Sequence, residues 1–210
     1  MSETSEALRE PWPDLARQRE GVSFGVWAFL ASEALFFGGL FLGYTVYRNL
    51  YPAAFVTAAK ETDIFYGTLN TAILLTSSLT MAVAERGAQE RFRRMSLWCL
   101  ALTALLGCAF LISKGFEYDD DISKGLAPGP GFPLHPAETQ IFWAFYWVMT
   151  GVHAIHLTIG IGVVTAAMVL LWRRSIQPES PAFEGIALYW HLVDIIWVIL
   201  LPLLYLVGRT

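Results

Sequence analysis

Residues 24–47 read FGVWAFLASEALFFGGLFLGYTVY, twenty-four residues with one ionisable side chain in their midst, Glu33, before the closing tyrosines. As an α-helix the run is about 36 Å long at 1.5 Å per residue, enough to cross the hydrocarbon core of a bilayer. A soluble domain has no use for so long a stretch without charge. Across the 210 residues the pattern persists: 55% are hydrophobic and 15% charged, where soluble domains carry about 25% charged residues. Four further runs are long and apolar enough to span, at residues 64–84, 95–116, 141–172 and 186–207. Backbone groups in lipid must be satisfied within the segment, so these are helices. The expected fold is all-α, a single bundle of five transmembrane helices. The fourth run is too long to stand upright and should tilt or project, and Pro202 should kink the fifth near its end.

Residues 1–23, MSETSEALREPWPDLARQREGVS, are polar and broken by Pro11 and Pro13. They lack the basic start and short apolar core of a signal peptide. A mostly disordered tail is expected there, with the first span serving as insertion signal and residues 24–208 forming one transmembrane domain. The net charge of −4 is spread over the loops, and no basic patch argues for nucleic acid. Cys99 and Cys108 form no C-x-x-C pair and read as buried small hydrophobes.

Arg9, Arg17, Arg19, Arg86, Arg91, Arg93, Arg94, Arg173 and Arg174 fall at one set of helix ends. Arg48, Lys60, Lys124, Arg209 and the acidic run Asp119–Asp121 fall at the other. The positive-inside rule then places the N-terminus inside and the C-terminus outside. Tyr47, Trp98, Trp143, Trp172 and Tyr205 sit near span ends, as interfacial aromatic belts require. The longest connection, residues 118–140, holds GLAPGPGFPLHP. No inverted repeat of the transporter type is visible.

Ionisable groups within a span are costly and are functional candidates by default. Glu33 lies about ten residues into the first helix, at mid-bilayer. It shares its face with Phe36, Phe37 and Leu40 and has no partner on its own helix, so a neutral acid is expected. His153 and His156 in GVHAIHLTIG, and His191 and Asp194 in YWHLVDIIW, are each three apart and so share a face. Rise per residue brings His156 and His191 to matched depth, where a buried polar network of His153, His156, His191 and Asp194 with a cross-helix His–Asp bond satisfies both groups. A haem held by two imidazoles is the alternative use of such a pair. Lys114 and Glu117 in SKGFEY, near the outer end of the third span, read as an ion pair whose charges snorkel to the interface. Asn70, Ser77 and Ser78 give the second span a small polar face, and Gly39 with Gly43 has G-x-x-x-G spacing. There is no nucleophile–base pair, phosphate loop or zinc spacing.

ASEALFFGGLF, LNTAILLTSS, KGFEYDDDISKGLAPG, GVHAIHLTIG and YWHLVDIIW follow one another in an order that resembles subunit III of haem-copper respiratory oxidases, over residues 20–208. Members of that family commonly have seven helices. Five resembles the shorter bacterial form that lacks the first two. The resemblance implies an accessory subunit with no redox centre or bound metal, part of a complex that reduces O2 to water and moves protons. It implies packing against oxidase subunit I, association with subunit II, structural phospholipid between the helices, and support of proton uptake, in a bacterial inner membrane. Haems and copper then belong to the partner subunits. Four histidines, with His135 in a loop, and no C-x-x-x-C agree with that division. Glu33 matches the family's intramembrane glutamate, and His153, His156, His191 and Asp194 match its buried polar positions. Arg173 and Arg174 are candidate contacts for anionic lipid headgroups. Cytochrome c is the expected electron donor of the complex. A quinol oxidase or a nitric-oxide-reductase-associated complex is the alternative setting, and a stand-alone proton or solute transporter the alternative class.

Overall fold

A computed structural model describes residues 12–174 and 181–209. Among them are six helices: α1 Leu15–Leu50, α2 Pro52–Ala59, α3 Ile64–Gln89, α4 Arg93–Ser123, α5 Thr139–Trp172 and α6 Pro181–Leu204. Five are long and apolar enough to cross a membrane, and α2 is a short extra helix between the first two spans. The all-α, five-span architecture expected from the apolar runs is the one observed.

The helix starts follow local chemistry. Asp14 accepts a hydrogen bond from the Arg17 N–H at 2.8 Å and caps α1, as Asp63 caps α3 through the Phe65 N–H at 2.8 Å. The cap at Asp14 carries α1 through residues 15–23, where a disordered tail was expected. Their polar side chains do not break a helix, and the extended backbone of Asp14, φ −154° and ψ 164°, sets its start. Residues 1–11 of that tail lie outside the described part. α4 likewise continues past its apolar segment, which closes at Phe116, as far as Ser123. The loop before α5 is therefore shorter than the sequence suggested.

Helices α3, α4, α5 and α6 form a closed block in which α3 packs on α4 and α6, and α5 packs on the same two. α3 and α4 make a tight hairpin. Arg91 takes a positive φ of 63° at its turn, and Gly87 lets α4 come so close that a Cβ there would lie 3.0 Å from the Ser96 hydroxyl. Thr80 and Thr103 share a hydroxyl bond of 2.7 Å across the same pair. At the centre sits Trp190 of α6. Its ring lies against Gly107 of α4 and Gly160 of α5, and its indole N–H donates to Ser77 Oγ of α3 at 3.1 Å. One side chain thus touches the other three helices of the block, and two glycines supply the room.

α1 stands outside this block, leaning on α5 and α6. Only 11% of its most apolar window is buried. Among the described residues Gly39 meets nothing within 4 Å and Gly43 meets the Phe145 ring, so the G-x-x-x-G spacing brings no described backbone close. Tyr44 fixes the far end of α1 by donating its hydroxyl to the Leu203 carbonyl, one of those left free where α6 stops shortly after Pro202. Arg209 donates to the carbonyls of Ala59, Lys60 and Thr62 and so caps α2.

Two expectations about surface position are corrected. Trp143 and Tyr205 are fully buried and belong to the core, while Trp98 and Trp172 stay exposed as belt residues do. Cys108 is exposed on its helix, while Cys99 is half-buried and packs against the edge of the core.

Candidate functional site

Glu33 lies near the midpoint of α1, and the structure gives it a partner that its own helix does not. Its Oε2 is 2.8 Å from His156 Nε2 on α5. The other imidazole nitrogen, Nδ1, is 2.8 Å from the Val152 carbonyl. A carbonyl only accepts, so Nδ1 carries a hydrogen. The contact between Nε2 and Oε2 then contains one shared proton, and the pair is neutral overall wherever that proton sits. The acid expected here without a partner on its own helix finds one on α5. Phe37 packs edge-on against the imidazole at 5.2 Å and Phe36 stacks on it at 6.4 Å. Tyr189 of α6 donates its hydroxyl to the His156 carbonyl at 3.0 Å. The His156 and Glu33 side chains remain 18% and 19% exposed.

The other three members of the expected network do not join it. His153 is fully buried between Phe110 and Trp197, at 5.5 and 5.1 Å between ring centres, and among the described residues neither of its nitrogens has a hydrogen-bond partner. His191 Nδ1 is 2.7 Å from Ser78 Oγ of α3. Asp194 is buried, and among the described residues its carboxyl oxygens have no hydrogen-bond partner. The expected cross-helix His–Asp bond is therefore not formed. Depth does not decide a pairing: His156 bonds toward α1 and His191 toward α3. The two imidazoles proposed as haem ligands serve different helices for the same reason. Among the described residues, no three His, Cys, Asp or Glu side chains are grouped so as to hold a metal ion.

The Lys114–Glu117 ion pair is present, with Nζ 3.0 Å from Oε2. It does not snorkel: each side chain is 2% exposed. Lys114 donates to the hydroxyls of Tyr146 at 2.9 Å and Tyr205 at 2.8 Å. Tyr205 donates to Glu117 Oε1 at 2.7 Å. The Tyr146 oxygen is 2.8 Å from that same Oε1 and 2.7 Å from Asp121 Oδ2. The ammonium also lies 4.5 Å from the centre of the Tyr146 ring, close enough for a cation–π attraction. Asp121, Tyr146 and Tyr205 were missed as site residues in the sequence. Positions 114, 117 and 121 form one helical stripe, a signal obscured by reading DDD as the start of a loop. Just beyond α4, Lys124 pairs with Asp120 at 2.6 Å, and that carboxylate raises the lysine pKa.

Arg173 and Arg174 are exposed at the end of α5. Beside them, between α4 and α5, is an open apolar groove of about 320 Å³ lined by Leu97, Trp98, Ala101, Met168 and Trp172, with Arg94 at its edge. Arg93 ties the same helix ends together, donating to the Leu171 carbonyl at 3.0 Å and to the Trp172 carbonyl.

Residues 15–209 match the family model described as cytochrome c oxidase subunit III. A cytochrome c oxidase subunit 3 from Thermostichus vulcanus is 34% identical, over 88% of this chain and 87% of the relative. A quinol oxidase subunit 3 from Bacillus subtilis is 29% identical, over 88% and 86%. In Aeropyrum pernix, a haem-copper oxidase subunit I+III aligns at 29% identity with 94% of this chain, which covers 24% of that longer protein.

Proposed function

Because the chain belongs to the cytochrome c oxidase subunit III family, we propose that it is the accessory, non-redox subunit III of a haem-copper terminal oxidase, most consistent with a cytochrome c oxidase of a bacterial plasma membrane. The observation that carries this reading is the family match over nearly the whole chain, on a five-span fold with little beyond buried polar pairs with which to do chemistry alone. Oxidase subunit I is the main partner, with subunit II beside it. A relative described as subunit I+III supports that pairing. The arginines at the N-terminal side of the bundle favour an N-terminus inside and a C-terminus outside.

In this reading the subunit works by packing and by holding lipid. The uncovered apolar faces meet subunit I and acyl chains. The groove beside Trp98 and Trp172, with Arg94 at its edge and Arg173 and Arg174 nearby, suits an anionic phospholipid whose chain lies along α4 and α5. The Glu33–His156 pair holds α1 to α5 and keeps one exchangeable proton at mid-membrane, which supports a contribution to proton uptake by the complex. The similarity to a quinol oxidase subunit 3 favours a second setting, in which quinol replaces cytochrome c as donor.

Affinity purification of the tagged chain from its native membranes in mild detergent tests the reading. Haem-containing subunit I and a subunit II should co-purify, and the dinuclear copper spectrum of subunit II, or its absence, separates the cytochrome c from the quinol setting. A chain that purifies without any oxidase, and that passes protons when reconstituted alone in liposomes, would replace this reading with a stand-alone transporter.

A further inference from the structure

The Lys114 cluster has a donor count that does not close with both of its carboxyls ionised. The lysine ammonium has three hydrogens, and three acceptors surround it: Tyr146 Oη at 2.9 Å, Tyr205 Oη at 2.8 Å and Glu117 Oε2 at 3.0 Å. The Tyr205 hydroxyl hydrogen goes to Glu117 Oε1. One hydroxyl hydrogen remains, on Tyr146, yet its oxygen is in close contact with two carboxyl oxygens, Glu117 Oε1 at 2.8 Å and Asp121 Oδ2 at 2.7 Å. With Glu117 and Asp121 both as anions, one of these contacts would set lone pair against lone pair. Lys114 and Glu117 are 2% exposed and Asp121 3%, so water cannot relieve the clash, and an unmatched acceptor buried this way is costly.

We propose that the cluster is a proton-holding site in which Asp121 is carried as the neutral acid, donating from Oδ2 to Tyr146 Oη. Tyr146 then accepts from Lys114 and Asp121 and donates to Glu117, and every contact has one hydrogen. Glu117 is the carboxyl that keeps its charge, since it forms the ion pair with the ammonium, its Oε2 lying 3.0 Å from Lys114 Nζ. The charge closes as well: one ammonium and one carboxylate sum to zero, whereas two carboxylates would leave a buried net negative charge. Other titratable groups about the site are Tyr118 on α4, whose hydroxyl bonds to that of Thr150 at 2.7 Å, and His153 on α5, about one helical turn further along from Thr150. The Asp120–Lys124 pair lies beside Asp121 at the exposed end of α4. A proton leaving Asp121 therefore has a short path to the aqueous face at that end of α4, and its departure would leave the cluster negatively charged.

Infrared spectroscopy of the purified complex, with and without carbon-13 in the aspartate carboxyl, tests this at neutral pH. A protonated-acid carbonyl band that moves with the label is expected. It should be lost in Asp121→Asn, should move to higher frequency in Tyr146→Phe, which leaves the buried carboxyl in place but removes its acceptor, and should persist in Asp194→Asn. Absence of any labelled acid band in the wild-type complex would overturn the proposal without recourse to a variant. A labelled band that disappears in Asp194→Asn and is unchanged in Asp121→Asn would overturn it too.

Discussion

Glu33→Ala removes the side-chain hydrogen bond that joins α1 to α5 near the midpoint of α1. The bond is 2.8 Å long, between side chains 18% and 19% exposed, so it is neither fully dry nor solvated. Interhelical hydrogen bonds in membrane proteins average about 0.6 kcal/mol with a ceiling near ~1.7. The alanine variant also leaves His156 Nε2 without a partner, which places the expected loss above the average, at about 1 kcal/mol. That is about a fivefold change in the unfolding equilibrium. Glu33→Gln is the informative companion. With a hydrogen on His156 Nδ1, a neutral imidazole presents Nε2 as an acceptor, and the glutamine amide can donate to it, so a neutral pair predicts little change. An ion pair predicts a loss close to that of alanine, because the charge assistance is gone. Glu33→Lys, which sets a cation at mid-bilayer, should cost at least ~3 kcal/mol and block assembly. Equilibrium unfolding of the purified chain in mixed micelles reads all three. An alanine variant as stable as wild type would refute the claim that this pair holds α1 in place.

Lys114→Met should be far more damaging, by about 3–5 kcal/mol, because it strands the Glu117 carboxylate in a dry site; Lys114→Met with Glu117→Gln should recover much of the loss, as thermal unfolding of the two variants will show. Gly107→Leu adds bulk where even a Cβ would lie 2.9 Å from Ile161 and Trp190, so at least about 1–3 kcal/mol of destabilisation is expected in the same assay. Gly39→Ala, with nothing within 4 Å, should instead be neutral or slightly stabilising in the isolated chain. Arg93→Ala frees the Leu171 and Trp172 carbonyls, and faster hydrogen exchange should appear at the end of α5 while α3 is unaffected.

The five spans were legible because hydrocarbon thickness and helical rise leave little choice for a long apolar run. What apolarity does not mark was lost. The first turns of α1 are polar yet helical, since Asp14 caps them, and the last turns of α4 are acidic yet helical, with Asp121 buried against Tyr146. Site pairings were legible only within a helix. Spacing put His153 with His156 and Lys114 with Glu117, and depth put His156 level with His191. Neither says which neighbour stands opposite each face, and that is decided by the packing of whole helices, here by Trp190 seated between Gly107 and Gly160. Glu33 was therefore visible as an oddity, while its partner was not.

The position of α1 outside the block also has a temporal side. Glu33 and His156 are 123 residues apart in the chain. At ribosomal speeds of about 5–20 residues per second, about 6–25 s pass between the synthesis of one and the other. Through that interval α3 and α4, neighbours in sequence, can already close their hairpin, while α1 waits in the lipid without α5 or α6. Its glutamate must be tolerated there unaccompanied, and an acid becomes neutral by taking up a proton at less cost than a lysine does by giving one up. The residue at this position is thus screened twice, first by the bilayer during synthesis and only afterwards by the histidine that completes it.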